Sequence, residues 1–138
     1  MVDDVVLNKA ASIERAIRRA REEYAGDPAN LTGNLTKQDA IVLNLQRACE
    51  AAIDLAMVLV ARGRLGVPQT SRDAFDLLAA AGLVPHALAD AMKRMVGFRN
   101  VAVHDYQRLS LPIVQAILVT EAEQLLAFAR VSVATATG

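Results

Sequence analysis

The run IVLNLQRACEAAIDLAMVL, residues 41–59, sets apolar side chains at Ile41, Leu45, Ala48, Ala52, Leu55 and Leu59, in alternating steps of four and three. Five such intervals in succession follow the 3.6-residue period of an α-helix and draw one narrow apolar seam along it. A seam of that kind belongs to a helix packed lengthwise against neighbours, which implies a helical bundle. Cys49 inside the run reads as a small buried filler, and Met57 as core. Glu50 and Asp54, four apart, read with Arg47 as an exposed charged stripe rather than as paired catalytic carboxylates.

On the N-terminal side of this helix, Val2 to Tyr24 repeats the helical spacing at Val2, Val6, Ile13, Ala16, Ile17 and Ala20, with Lys9 as the exception. Gly26, Asp27 and Pro28 end that first helix. Asp27 to Gly33 reads as a polar loop, and Thr36, followed by Asp39, as the N-cap of the second helix, which runs to about Gly63. On the C-terminal side, Gly66 and Pro68 make a turn, and Thr70 or Ser71 caps a short helix from about Arg72 to Ala81 that buries Phe75, Leu78 and Ala79. Gly82 closes it. Pro85 suits the first turn of a fourth helix carrying Leu88, Met92, Met95 and Val96. A last helix begins after Ser110 with Pro112 in its first turn. It packs Val114, Leu118, Ala122, Leu125 and Ala129 and leaves a frayed tail of small residues.

Composition agrees with this all-α reading, an up-and-down bundle of about five helices in one domain over residues 1–138. Hydrophobic residues are 54% of 138, enough for one core, and aromatics only 4%. A single cysteine forms no internal disulfide, and the chain opens on no secretory leader, so a cytoplasmic location is expected. The longest spanning candidate, Ala51 to Ala61, is broken by Asp54, so no membrane role is expected. A net charge of +0 excludes bulk electrostatic coating of nucleic acid and leaves room only for local RNA contact. The arginines of the first helix, Arg15, Arg18, Arg19 and Arg21, read as a solvated face.

One string departs from the packing pattern. Arg99-Asn100-Val101-Ala102-Val103-His104-Asp105-Tyr106 closes the fourth helix with an arginine able to hold phosphate, a histidine able to move a proton and a tyrosine with a modifiable hydroxyl. On a continuous helix, Arg99 and Tyr106, seven apart, nearly superimpose, and Asn100 and His104, four apart, are neighbours. Arg99 and His104 stand roughly 140° apart around the axis, so pairing of two subunits is expected to assemble the site. Cleaving RNA without metal calls for a base at the 2′-hydroxyl, a cation at the phosphorane and an acid at the 5′-oxygen. Two histidines, one from each subunit, would cover base and acid. Arg99 would hold the phosphate, with Asn100 bonded to His104 or to the scissile group. Asp105 carries no assigned role. His86, beside Pro85, reads as a surface residue, and neither a metal site nor a cofactor is expected, since no ligand spacing surrounds either histidine.

The Arg-Asn-x3-His-x-Tyr string, with Asn44-Leu45-Gln46-Arg47-Ala48 and with Gly66-Val67-Pro68 ahead of Asp73-Ala74-Phe75, resembles the HepT toxins, the DUF86-like branch of HEPN-domain proteins, over nearly the whole chain. The resemblance implies a dimeric HEPN-like bundle whose Arg-x4-6-His motif forms an RNase site at the dimer cleft. It matches Arg99, His104 and Tyr106 to that motif. It further implies an MntA-like nucleotidyltransferase antitoxin as partner, which adds AMP from ATP to Tyr106. The expected function is thus a metal-independent endoribonuclease toxin acting on RNA as a homodimer. The alternative is a catalytically silent HEPN module that docks a nucleotidyltransferase. A helical adaptor with no nucleotide link is disfavoured, because burying an arginine and a histidine together would serve no adaptor face.

Overall fold

The computed structural model describes residues 3–137, and within them the chain is helical with no strand. The helices are α1 (Asp4–Tyr24), α2 (Ala29–Thr32), α3 (Leu35–Gly63), α4 (Ser71–Ala80), α5 (His86–His104), α6 (Leu111–Ala116) and α7 (Ala122–Thr137). A π segment, Ile117–Glu121, joins α6 to α7 in one rod, and a 3₁₀ turn, Tyr106–Arg108, follows α5. With that rod counted once and the single turn α2 set aside, five rods form the bundle that the 41–59 seam implies.

The long helix α3 is central. Helix α1 lies along it, and α4, α5 and α7 pack on its remaining apolar sides. All six seam positions, from Ile41 to Leu59, are buried. The core they enter is closed by Phe75 of α4 and Phe128 of α7, whose rings meet edge to face at 5.4 Å and 68°. Each fully buried side chain of this size contributes about 1.5–3 kcal/mol of transfer free energy, and the aromatic pair adds about 0.5–1.5 kcal/mol. Cys49, Met92 and Met95 are buried, His86 is exposed, and Met57 is partly buried against the core, each as read from the sequence.

Helix ends differ from the sequence reading where side chains other than the expected ones reach the free N–H groups. Asn34, not Thr36, caps α3: in extended backbone, its Oδ1 accepts from Lys37 N at 3.0 Å, and Thr36 already lies in the first turn. At α4 the cap is Thr70, one of the two residues expected there: its Oγ1 accepts from Asp73 N at 3.2 Å, while Asp73 accepts from Gln69 N at 3.0 Å. The segment read as a polar loop contains α2, because Leu31 buries completely and so pins a turn there. Helix α1 is capped by Asp3, and the Val2 position of the expected first helix lies outside the described residues.

The expected frayed tail is helical to Thr137. Ser132 is buried with its hydroxyl donating to the Phe128 carbonyl at 2.7 Å, and Val131 and Val133 pack against the core, so the small residues have a surface to cover. The expected Arg47–Glu50–Asp54 stripe is divided: Asp54 pairs with Lys9 of α1 at 3.1 Å, and Glu50 is half-buried. Leu111–Ala136, not Ala51 to Ala61, is the one helix among the described residues that is long and apolar enough to cross a membrane, with a mean hydropathy of 1.4. Val114, Leu118, Leu125 and Phe128 of this rod lie in the core, while Ile113 and Val119 on it are exposed.

Candidate active site

The polar string lies where α5 ends. Its helix bears buried Met92, Met95, Val96, Phe98 and Ala102 on the core side, which turns Arg99, Asn100 and His104 away from it. Arg99 and Asn100 are half-buried and His104 is exposed. A buried arginine–histidine pair, the expectation used above against an adaptor, is therefore not what the fold builds.

Arg99 is oriented by its neighbour: Nη1 donates to Asn100 Oδ1 at 3.1 Å. Of the two contacts expected of Asn100, the one with His104 is not made in this structure; its oxygen accepts from the Arg99 guanidinium instead. Arg99 Nε is buried with no hydrogen-bond partner among the described residues. Leaving such a donor unsatisfied costs about 1–3 kcal/mol. The guanidinium also lies near α3. Burial, then the charge of Glu50, pushes the Cys49 thiol up to about 12, while the positive charge of Arg99 acts in the opposite direction. Cys49 is accordingly a packed, unreactive thiol.

His104 is the last residue of α5. Asp105 then takes φ −151° and ψ 53°, which is not helical, and its carboxylate pairs with Arg108 Nε at 3.3 Å. This corrects the superposition of Arg99 on Tyr106, which presumed that the helix continued. Tyr106 sits instead on the 3₁₀ turn, and its hydroxyl donates to Asp39 Oδ1 of α3 at 2.6 Å. Asp39, 67 residues away in sequence, was legible before only as part of a helix start. Nothing in local spacing could pair it with the tyrosine.

Tyr106 is 42% exposed, so a partner can reach the ring. Partial burial, then the hydrogen bond to Asp39 and that residue's negative charge, push its phenol up to about 12. An unfolded phenol ionises near ~10, so the folded chain holds this proton more tightly. The stabilisation is complete below pH ~10 and is lost as pH rises towards 12. In denaturant titrations, the difference in stability between the wild type and Tyr106→Phe is expected to shrink over that window. A difference that stays constant through it would contradict the clasp.

Among the described residues, no group of three or more His, Cys, Asp or Glu side chains is arranged to hold a metal ion. On the charged face of α1, Arg19 pairs with Glu22 and Glu23 of the same helix and Arg21 with Glu123 of α7, all partly exposed to solvent.

Comparison with known proteins brings these features together. Residues 13–132 match the family model described as ribonuclease HepT-like. The chain is 49% identical over 113 residues to an mRNA nuclease HepT of Shewanella oneidensis, covering 82% of this chain and 84% of that protein. Two solved structures superimpose with TM-scores of 0.89 and 0.88. One is of a toxin–antitoxin with AMP-PNP, at 44% identity over 94% of this chain and 97% of the other. The second is of a tri-AMPylated Shewanella oneidensis HEPN toxin in complex with MNT antitoxin, at 45% identity over 94% and 96%.

Proposed function

The chain belongs to the ribonuclease HepT-like family, and from that premise we propose that it is a metal-independent endoribonuclease toxin whose site forms at the cleft of a homodimer. The observation that carries the reading is the supply of imidazoles. The sequence holds two histidines, His86 at the first position of α5 and His104 at the last. Eighteen residues of helix separate them by about 27 Å, so a single subunit brings only one imidazole to the string. General acid and general base must both flank the scissile phosphate. A second His104, from a twofold-related subunit, supplies the missing partner.

In this reading one His104 takes the proton of the 2′-hydroxyl as it attacks phosphorus, and the other protonates the departing 5′-oxygen. The products are a 2′,3′-cyclic phosphate and a free 5′-hydroxyl. Arg99 meets the phosphorane with its guanidinium, held in place by Asn100. Asn100 acts by fixing the arginine rather than by touching the imidazole. The substrate class we assign is mRNA, as in the name of the Shewanella relative.

The partner in this reading is an MntA-like nucleotidyltransferase antitoxin that attaches AMP to Tyr106, and the setting is the cytoplasm, without a membrane. Support comes from the tri-AMPylated state and the MNT antitoxin in the similar structure, and from the exposed position of Tyr106 two residues beyond His104. Purified without its partner, the chain is expected to sediment as a dimer and to cut mRNA in excess EDTA, leaving cyclic phosphate ends. Loss of cleavage on chelation, or full activity in a stable monomer, would overturn the proposal.

A further inference from the structure

We propose that Asp39 is the general base for the adenylylation of Tyr106. This rests on the reading of Tyr106 as the acceptor. In the step, Tyr106 Oη attacks the α-phosphorus of a nucleoside triphosphate held by the transferase. The new bond joins Oη to the α-phosphorus, the bond from that phosphorus to the bridging oxygen breaks, and pyrophosphate leaves with the electron pair. The phenolic proton passes to the Asp39 carboxylate and from there to solvent.

The geometry is that of a base already in contact with its proton. The Oη to Oδ1 distance of 2.6 Å is that of a short, charge-assisted hydrogen bond. Asp39 stands near the start of α3, on a helix end held by the Asn34 cap and by Gln38 Nε2 donating to the Leu31 carbonyl at 3.0 Å. The carboxylate therefore sits on a fixed element while the tyrosine rides on an exposed turn. Neighbouring charges are engaged elsewhere: Asp105 pairs with Arg108 at 3.3 Å, and Lys37 Nζ donates to Asn30 at 3.3 Å. Among the described residues, Asp39 is the one carboxylate bonded to the Tyr106 hydroxyl.

The chemistry needs this transfer. With its ionisation pushed up to about 12, the phenol is protonated throughout the physiological range and offers almost no ready phenolate. A protonated phenol is a weak nucleophile until its proton is removed in the attacking step.

The test follows the first AMP addition by mass spectrometry, with the chain, its transferase and ATP, across a range of pH. Asp39→Asn keeps the size of the side chain and an oxygen that accepts the tyrosine hydrogen bond, but it cannot take the proton. The rate constant is expected to fall about 10²–10⁴-fold with the KM for ATP little changed. The gap should narrow as alkali ionises the phenol directly, and Asp39→Glu should recover most of the rate. Wild-type rates in Asp39→Asn, or equal losses in the Asn and Glu variants with no narrowing at high pH, would overturn the assignment. Tyr106→Phe separates the two readings. Full modification of that variant would remove Tyr106 as acceptor, whereas a fast Asp39→Asn beside an unmodified Tyr106→Phe would remove only the base.

Discussion

Changing His104 to alanine is expected to abolish mRNA cleavage while leaving the helical circular dichroism and the unfolding midpoint close to those of the wild type. The side chain is exposed at the helix end and makes no hydrogen bond or ion pair among the described residues. Surface substitutions of this kind usually change stability by no more than about 0.5 kcal/mol. Catalysis is another matter, because in a symmetric dimer one mutation removes acid and base together. Each role is worth about 10²–10⁴-fold, so the combined loss should bring activity to the detection limit. Mixed dimers sharpen the expectation. If both imidazoles serve one cleft, a dimer with a single His104 lacks either the acid or the base. When wild-type and variant chains are denatured together and refolded, cleavage should then fall as the square of the wild-type fraction. A linear fall would place both roles within one subunit and sink the shared cleft. An active alanine variant would remove His104 from the mechanism.

Tyr106→Phe is expected to free the toxin from its transferase. Co-expressed wild-type chain should carry added AMP mass and permit growth, whereas the phenylalanine variant should stay unmodified and arrest growth even with the transferase present. The physical cause is local. Esterified Tyr106 can no longer donate to Asp39, so the clasp that holds the turn against α3 is lost. The new phosphodiester places a negative charge beside the Asp39 carboxylate, and like charges drive the adenylyl group away from α3. Tyr106 lies two residues beyond His104, a span of at most about 7 Å along the chain, so the nucleotide is large enough to cover the imidazole. This mode of inhibition does not require Arg99 and Tyr106 to be superimposed on one helix face. An inactive complex with an unmodified tyrosine, or a silenced Tyr106→Phe, would contradict it.

Much of this was visible along the chain because it is local. The steps of four and three from Ile41 to Leu59 report burial directly, since an apolar side chain is tolerated at that period only if a neighbouring helix covers it. Arg99, Asn100, His104 and Tyr106 stood out for the converse reason: polar groups interrupt an apolar run only where something other than packing keeps them. Cap choices were less legible. Asn34 and Thr36 are both good cap formers within one turn, and which one acts depends on the backbone that α2 delivers through Leu31.

The helices, their apolar faces and the chemical types gathered at the end of α5 thus follow from the order of residues, since period and composition act between near neighbours. The stop at His104, the 3₁₀ turn and the bond from Tyr106 to Asp39 arise in the folded chain. Asp105 leaves the helix as the path turns towards α6, and packing of α5 on α3 brings together groups 67 residues apart. A contact over that separation is set by how the rods stack around α3, and no local period encodes it.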